Sequence, residues 1–352
     1  MKALTVVPGK AGSASLEDVD EPPGDHGPVL VSTLAVGVCG TDGEIVSGAY
    51  GWAPPGRERL TIGHESLGRV EEAPEGSGLA PGDLVVGIVR RPDPVPCPPC
   101  SVGQWDMCRN GEYTERGIKA IDGYCSERYR IEADFAVKVD PSLGRLGVLL
   151  EPTSVVAKAW DQVWRIGGRA AKWEPHVAVV TGAGPIGLLA ALIGVQKGLD
   201  VHVIDQVTAG PKPALVADLG ATYHTGTVGD ICEKVGAVDV VLECTGVGQL
   251  VFDAMAHVSP GGVVCLTGVS SGGRQLGVDA GELNRTMVLE NEAVVGSVNA
   301  NRRHYEEGAE ALAAADHEWL GRLITRSLPL DRWQDALTRK PDDVKVVIEV
   351  GE

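Results

Sequence analysis

Val177–Asp205 reads VAVVTGAGPIGLLAALIGVQKGLDVHVID, and it decides the fold of the second half of the chain. VAVV is too short an apolar run for a helix and ends on a glycine-rich turn, so it reads as a buried strand. Gly182, Gly184 and Gly187 follow in G-x-G-x-x-G spacing, with Pro185 and Ile186 between the last two. The glycines permit a tight turn, let the backbone approach a pyrophosphate, and allow a helix to pack closely on the strand. The helix N-terminus then offers N–H donors and a favourable dipole to the phosphates. VHVID supplies a second strand ending at Asp205, about 20 residues beyond the glycines, where a carboxylate can hold the ribose 2′-hydroxyl of NAD and repel the 2′-phosphate of NADP. Gln206, Val207 and Thr208 include no arginine to receive that phosphate, so NAD is the expected cofactor. The competing reading of Asp205 is an ordinary helix-capping carboxylate.

Downstream, apolar strands keep alternating with helical patterns: PKPALVADLGA, VDVVLECTG, GQLVFDAMAHV, GVVCLTG and EAVVGSV. That alternation predicts a doubly wound parallel sheet over 153–298. Upstream, MKALTVV, PVLVSTLAV, SLGRVEEA, GDLVVGIVR, YCSERYRIE and FAVKV are short strands broken by Gly and Pro, which predicts an antiparallel β-barrel-like domain over 1–152. The segment 299–352 carries a charged helical pattern, RRHYEEGAEALAAA, and a final strand, KVVIEV. It is assigned as a return to the first domain, a placement that periodicity alone does not show.

The chain has 352 residues and a net charge of −17, which excludes a nucleic-acid backbone or an anionic membrane as its main partner. The acidity suits solubility, a salty habitat or a cationic substrate. The opening MKALTVVPGK lacks the apolar core of a signal peptide, and no stretch reaches the ~18 apolar residues that span a bilayer. A cytoplasmic, reducing setting is expected. There, eight cysteines favour metal ligands, buried thiols or catalysis over disulfides.

Three scattered pieces suggest one metal site: Cys39-Gly-Thr41-Asp42 after an apolar strand, Gly63-His64-Glu65 with Gly68 close behind, and Glu151-Pro152 where the texture changes. Cys, His and Glu suit zinc, and a catalytic zinc keeps three protein ligands and one open position. Each alone has a plainer reading: a buried thiol, a core imidazole, a carboxylate at a helix start.

Together, the Cys39-x-Thr41 pair, GHExxG, Glu151-Pro and GAGPIG resemble the zinc-containing medium-chain alcohol/polyol dehydrogenases along essentially the whole chain. The resemblance is strongest to the glucose (aldose) 1-dehydrogenases of the archaeal type. It is carried by GVCGTDGEIVSG, IGHESLGRV, Arg90-Arg91, GEYTERGI, and GSVN with His304-Tyr305 downstream. It implies an α/β protein with a GroES-like β-barrel catalytic domain and a Rossmann domain, usually a homodimer or homotetramer. It implies that Cys39 and His64 hold the catalytic zinc, with Glu65 and Glu151 binding directly or through water. Thr41 would accept the substrate proton. Thr245, Thr267, Val269 and Asn299 would line the nicotinamide pocket, and Glu115 and Asn299 would hold sugar hydroxyls.

The same family carries a structural zinc lobe of four cysteines. Cys97, Cys100 and Cys108 fit its last three places, while Asp93 lies near the first with one residue inserted. Either a Cys3Asp zinc or a metal-free lobe follows. Cys125, Cys232, Cys244 and Cys265 read as buried thiols. Val89, Val155 and Leu289 stand where some glucose enzymes carry polar residues, so the pocket is expected to be less polar. The expected chemistry is zinc-assisted oxidation of a secondary hydroxyl of a sugar or polyol, with Glu44 as a candidate second proton station or simply a solvated carboxylate. The rivals are oxidation of a ring hydroxyl on an aminosugar or glycoside, and a zinc-free nucleotide-binding protein without dehydrogenase activity.

Overall fold

The computed structural model describes residues 1–270, 272 and 275–351. It divides into two compact units: Met1–Ser154 together with the chain from Asn299 onward, and Val155–Val298. Among the described residues, no helix is long and apolar enough to cross a membrane.

The first unit is built on one long strand, Val29–Val38 (VLVSTLAVGV), whose side chains are buried on both faces along most of its length. One edge pairs antiparallel with Glu65–Glu72. The other edge is shared, first by Arg128–Ile131 and then by the C-terminal strand Lys345–Glu349. Leu84–Gly87 and Ala136–Lys138 extend the sheet beyond Glu65–Glu72, and Ile324–Pro329 extends it beyond Lys345–Glu349. KVVIEV is therefore an interior strand of this sheet rather than a terminal appendage. A three-stranded sheet of Lys2–Val6, Ser15–Asp18 and Leu60–Thr61 contributes to the same unit. Val31, Val36, Leu60, Ile62, Tyr124 and Ile131 form the centre of its core, each side chain stabilising the fold by roughly 1.5–3 kcal/mol through burial.

The second unit holds a six-stranded parallel sheet in the order Thr222–His224, Asp200–Ile204, Val177–Thr181, Val240–Glu243, Val263–Leu266, Ala293–Gly296. This is the 3-2-1-4-5-6 arrangement of a dinucleotide-binding fold. Five of the six strands were expected from the sequence; Thr222–His224 was not. It is three residues long, polar and at the sheet edge, so it gives no apolar run to detect. Val177–Thr181 sits centrally, in register with Asp200–Ile204 on one side and Val240–Glu243 on the other. Helix Pro185–Gln196 starts from Gly184 as N-cap with Pro185 at its first position. Its Gly187 passes so close to the turn that a Cβ there would lie 1.7 Å from the Gly182 carbonyl oxygen, so only glycine fits.

Candidate active site

In the first unit, Cys39 directly follows the long central strand and caps the short helix Gly40–Val46. Its backbone N–H donates to Asp42 Oδ2 at 2.9 Å, which fixes the turn that presents the thiol. Thr41 lies in the first turn of that helix, its Oγ1 3.9 Å from Cys39 Sγ. His64 and Glu65 lie where Glu65–Glu72 begins, opposite the end of the central strand through the Gly37–Glu65 pairing. Ligand atoms of Cys39, His64 and Glu65 all lie within 4.8 Å of one another. The packing requires Gly37, because a Cβ there would come within 2.1 Å of Glu65 Oε2.

The electrostatics of this cluster fit a divalent cation. His64 is buried, and its Nδ1 lies 3.4 Å from Asp42 Oδ1. Neither atom makes a hydrogen bond. Burial alone would depress the imidazole, but Asp42 and then Cys39 hold its pKa well above the ordinary value. A carboxylate behind one imidazole nitrogen is the usual support for a histidine that binds metal through the other. Burial pushes Glu151 up to about 7, with Glu65 adding to the rise and His64 opposing it. Glu151 thus stands beside the three-residue cluster, electrostatically linked to it but outside its 4.8 Å span.

The sequence reading missed Lys345. Its ammonium reaches both oxygens of Glu65, at 2.8 and 2.5 Å, and also donates to the Val38 carbonyl. Both side chains are only 2 % exposed. The one local signal is a charged residue opening an otherwise apolar strand. Asp42 was also missed as a partner of His64, although its spacing from Cys39 is that of a capping residue.

Glu115, on the small strand Thr114–Arg116, is buried against Arg90. Its Oε1 takes three donors: Arg90 Nε at 3.1 Å, Arg90 Nη2 at 2.9 Å and Asn299 Nδ2 at 2.8 Å. No hydrogen bond to its second oxygen is made among the described residues, which leaves an oriented acceptor. Asn299 holds the left-handed backbone conformation (φ 62°) and also caps the Ala300 N–H with its own side chain. Val89 is buried and Leu289 is exposed on helix Ala280–Glu290. Val155 is half-buried.

Cys97, Cys100 and Cys108 bring their sulfurs within 4.8 Å of one another. N–H donors from Arg109 and then Cys100 hold the Cys97 thiol down to about 7, whereas burial pushes Cys100 up to about 11. Asp93 stands outside that cluster. Its Oδ1 takes the Val95 N–H, and its Oδ2 is buried without a partner. Three convergent thiols beside an orphaned carboxylate oxygen are compatible with a structural zinc. Among the described residues all eight cysteines are free thiols; Cys125 and Cys265 are buried, Cys232 and Cys244 half-buried.

In the second unit, Gly182, Gly184, Pro185, Ile186 and Gly187 form the turn and first helical residues after the central strand. A Cβ on Gly184 would meet nothing within 4 Å, so the backbone there is open to a ligand. Asp205 is already engaged: Oδ2 accepts from the Ala183 N–H at 2.8 Å and from Lys212 Nζ at 2.9 Å, and Oδ1 from the Val207 N–H at 3.1 Å. Burial opposes its ionisation, but Lys212 and these N–H donors win and hold the carboxyl below its usual range. Thr245, Thr267 and Val269 follow the carboxyl ends of adjacent parallel strands, where such sheets bind ligands. Thr245 and Thr267 are organised by Glu243, which the sequence reading did not single out. This fully buried carboxylate accepts from Thr181 Oγ1 at 3.0 Å and from the Thr245 N–H at 2.8 Å, as well as from the Thr245 hydroxyl and the Gly246 N–H. A charged residue closing an apolar strand was its only sequence signal.

Two family models cover this chain: "Alcohol dehydrogenase GroES-like domain" over residues 25–141 and "Glucose dehydrogenase C-terminus" over 144–350. The chain is 40 % identical over 359 residues to a glucose 1-dehydrogenase of Methanocella arvoryzae, covering 100 % of both. It is 40 % identical over 356 residues to glucose 1-dehydrogenase 1 of Caldivirga maquilingensis, covering 100 % of this chain and 99 % of the relative. A solved structure of Haloferax mediterranei glucose dehydrogenase, in complex with NADP, Zn and gluconolactone, matches with a TM-score of 0.92 and 32 % identity over 100 % of both chains. With a GroES-like domain, a parallel dinucleotide-binding sheet and full-length identity of this order, the chain belongs to the glucose dehydrogenases of the zinc-containing medium-chain dehydrogenase family.

Proposed function

We propose that this sugar dehydrogenase oxidises the anomeric hydroxyl of an aldose to the lactone, using a zinc held by Cys39 and His64 with Glu65 or Glu151, and NAD as hydride acceptor. The observation that carries the reading is the convergence of Cys39, His64 and Glu65 ligand atoms within 4.8 Å. Bound there, zinc supplies Lewis acidity that lowers the pKa of a substrate hydroxyl. The nicotinamide supplies the hydride-accepting carbon.

The protein's own groups do the rest. Thr41, beside Cys39 on the first helical turn, relays the hydroxyl proton, accepting it while giving up its own; Glu44, exposed on the same helix, lies on the solvent side for its release. Glu115, held on one oxygen by Arg90 and Asn299, offers the other to sugar hydroxyls. Asp42 fixes the Cys39 turn and backs His64, and Lys345 balances Glu65 in the absence of a dication. Gly182–Gly187 supplies the pyrophosphate cradle, and Glu243 holds Thr245 against it. The three-cysteine lobe would hold a second, structural zinc, with the unpartnered Oδ2 of Asp93 as the candidate fourth ligand. A homodimer or homotetramer is the proposed assembly.

NAD is supported by the carboxylate that ends the second strand and by the lack of arginine at 206–208. Lys212 offsets that carboxylate's charge, so the preference over NADP is modest. A narrower substrate reading, a ring hydroxyl of an aminosugar, is favoured by the −17 charge and by apolar Val89 and Val155. The test is nicotinamide reduction by zinc-loaded protein across aldoses, polyols and aminosugars, with NAD and NADP in parallel. Turnover of glucose or galactose that chelation abolishes and zinc restores is the expected result. Activity on aminosugars alone moves the chemistry to a ring hydroxyl, and activity indifferent to chelation overturns the zinc site.

A further inference from the structure

The chain is poor in aromatic residues, with 7 Trp, 6 Tyr and 2 Phe. Among the described residues only two of these are exposed: Tyr50 at 40 % and Trp52 at 50 %. They touch each other edge-on, with ring centroids 5.0 Å apart. Isolated exposed apolar residues need no explanation, but a paired aromatic surface does. Its backbone is tied to the turn that carries Glu115. The Trp52 N–H donates to the Ile118 carbonyl at 2.9 Å, and the Ala120 N–H donates to the Trp52 carbonyl at 3.0 Å. Within the same turn, the Lys119 N–H donates to the Glu115 carbonyl and the Glu115 N–H to the Lys119 carbonyl, both at 2.8 Å. The side chains are linked in the same sequence. Arg90, which grips Glu115, lies over the Tyr113 ring at 3.8 Å, and Lys119 approaches that ring at 4.2 Å. Tyr50 feels the charges of Glu115, Tyr113 and Arg90, after the larger effect of its own burial. Two strand spacings separate Trp52 from Glu115, on the order of 10 Å, which is about the span of two pyranose rings.

We propose that Tyr50 and Trp52 form a stacking platform for a second sugar ring, so that the site takes reducing disaccharides in addition to free hexoses. The flat C–H face of a pyranose packs on an aromatic face while its hydroxyls stay in water, and Tyr and Trp combine an apolar ring with a polar handle. Glu115 takes the hydroxyls of the ring being oxidised, and the platform takes the ring attached to it. The proposal rests on the sugar dehydrogenase reading above.

The test compares kcat/KM for cellobiose and maltose with that for glucose, in the zinc-loaded parent and in Trp52→Ala and Trp52→Phe. Cellobiose titration of tryptophan fluorescence provides a binding readout independent of turnover. The expected result is a disaccharide-to-glucose ratio that falls roughly tenfold in Trp52→Ala and is largely kept in Trp52→Phe, with a saturable fluorescence change lost in Trp52→Ala. Glucose turnover with a ratio insensitive to Trp52→Ala overturns the platform and leaves the dehydrogenase reading intact. If no sugar is oxidised, the dehydrogenase reading fails and the titration decides: a saturable signal lost in Trp52→Ala supports the platform, and its absence overturns it. A smaller assembly mass in Trp52→Ala overturns it too, by showing that the aromatic pair is a subunit interface.

Discussion

Lys345 and Glu65 are a buried ion pair, and such a pair is better evidence for a demand on the site than for stability. Desolvating two charges costs about as much as their attraction returns, whereas removing one partner strands the other at a cost of about 3–5 kcal/mol. Lys345→Met is therefore expected to destabilise the zinc-free protein by that amount. A bound dication compensates Glu65, so the loss is expected to shrink when zinc is loaded, and Glu65→Gln in the same chain to restore part of it. Unfolding midpoints with and without zinc measure this; equal losses in both states would remove Glu65 from the metal's surroundings. Lys212 poses a parallel question at the cofactor end. It cancels the charge of Asp205 at 2.9 Å, so Lys212→Met is expected to sharpen discrimination against NADP by roughly tenfold, equivalent to ~1.4 kcal/mol. The kcat/KM ratio for the two cofactors reads this directly, and an unchanged ratio would mean that Asp205 only braces the Ala183 turn. Neither lysine was legible in the sequence as a site residue. Lys345 meets a partner 280 positions away, and no local pattern reports a contact that only the folded sheet creates.

Among elements, the glycine turn and its helix were legible because every requirement there is local: spacing, a strand before, a helix after. The C-terminal strand was legible as a strand but not as an interior one, since its pairing with Val36 and Val38 is set by the fold. Thr222–His224 was not legible at all, being short and polar. Helix Ala280–Glu290 shows a different mismatch. It ends on Glu290 with no basic residue in its last turn, and Glu292 comes just after the left-handed C-cap Asn291. Carboxylates at a helix C-terminus face the negative end of its dipole. Both Glu292 oxygens are buried without a partner, and burial and then Glu290 push its carboxyl from 4.5 up to about 7. Since this pKa is raised in the fold, the unfolded chain releases its proton first, and stability falls as pH rises from 4.5 to about 7. Glu292→Gln removes that penalty. The substitution is expected to be neutral near pH 4.5 and stabilising above pH 7, by about 1 kcal/mol after discounting for solvent screening. Urea unfolding at the two pH values checks it, and a gain that is equal at both would assign the effect to packing rather than charge.

Across the whole molecule, the sequence shows the charge but not its arrangement. Many basic side chains are already committed to acidic partners, among them Arg57 to Asp122, Arg128 to Glu21 and Glu71, Arg130 to Glu72, Arg145 to Glu349, and Arg326 to Asp343. The net charge of −17 is then an excess of carboxylates that no cation can neutralise. Salt acts on both populations with opposite signs. Exposed ion pairs are worth only about 0–1 kcal/mol each, so screening them loses little. Repulsion among the surplus carboxylates extends over the Debye length, about 10 Å at 0.1 M and about 3 Å at 1 M, and is suppressed across that range. Repulsion outweighs the pairs, because it acts between every two surplus charges while each ion pair acts once. The unfolding midpoint is expected to rise by several degrees between about 0.1 M and about 1 M NaCl. A thermal series in NaCl at fixed zinc measures it. A midpoint that falls with salt would show instead that the arginine–carboxylate pairs outweigh the surplus, and that the acidity is locally balanced wherever it bears on the fold.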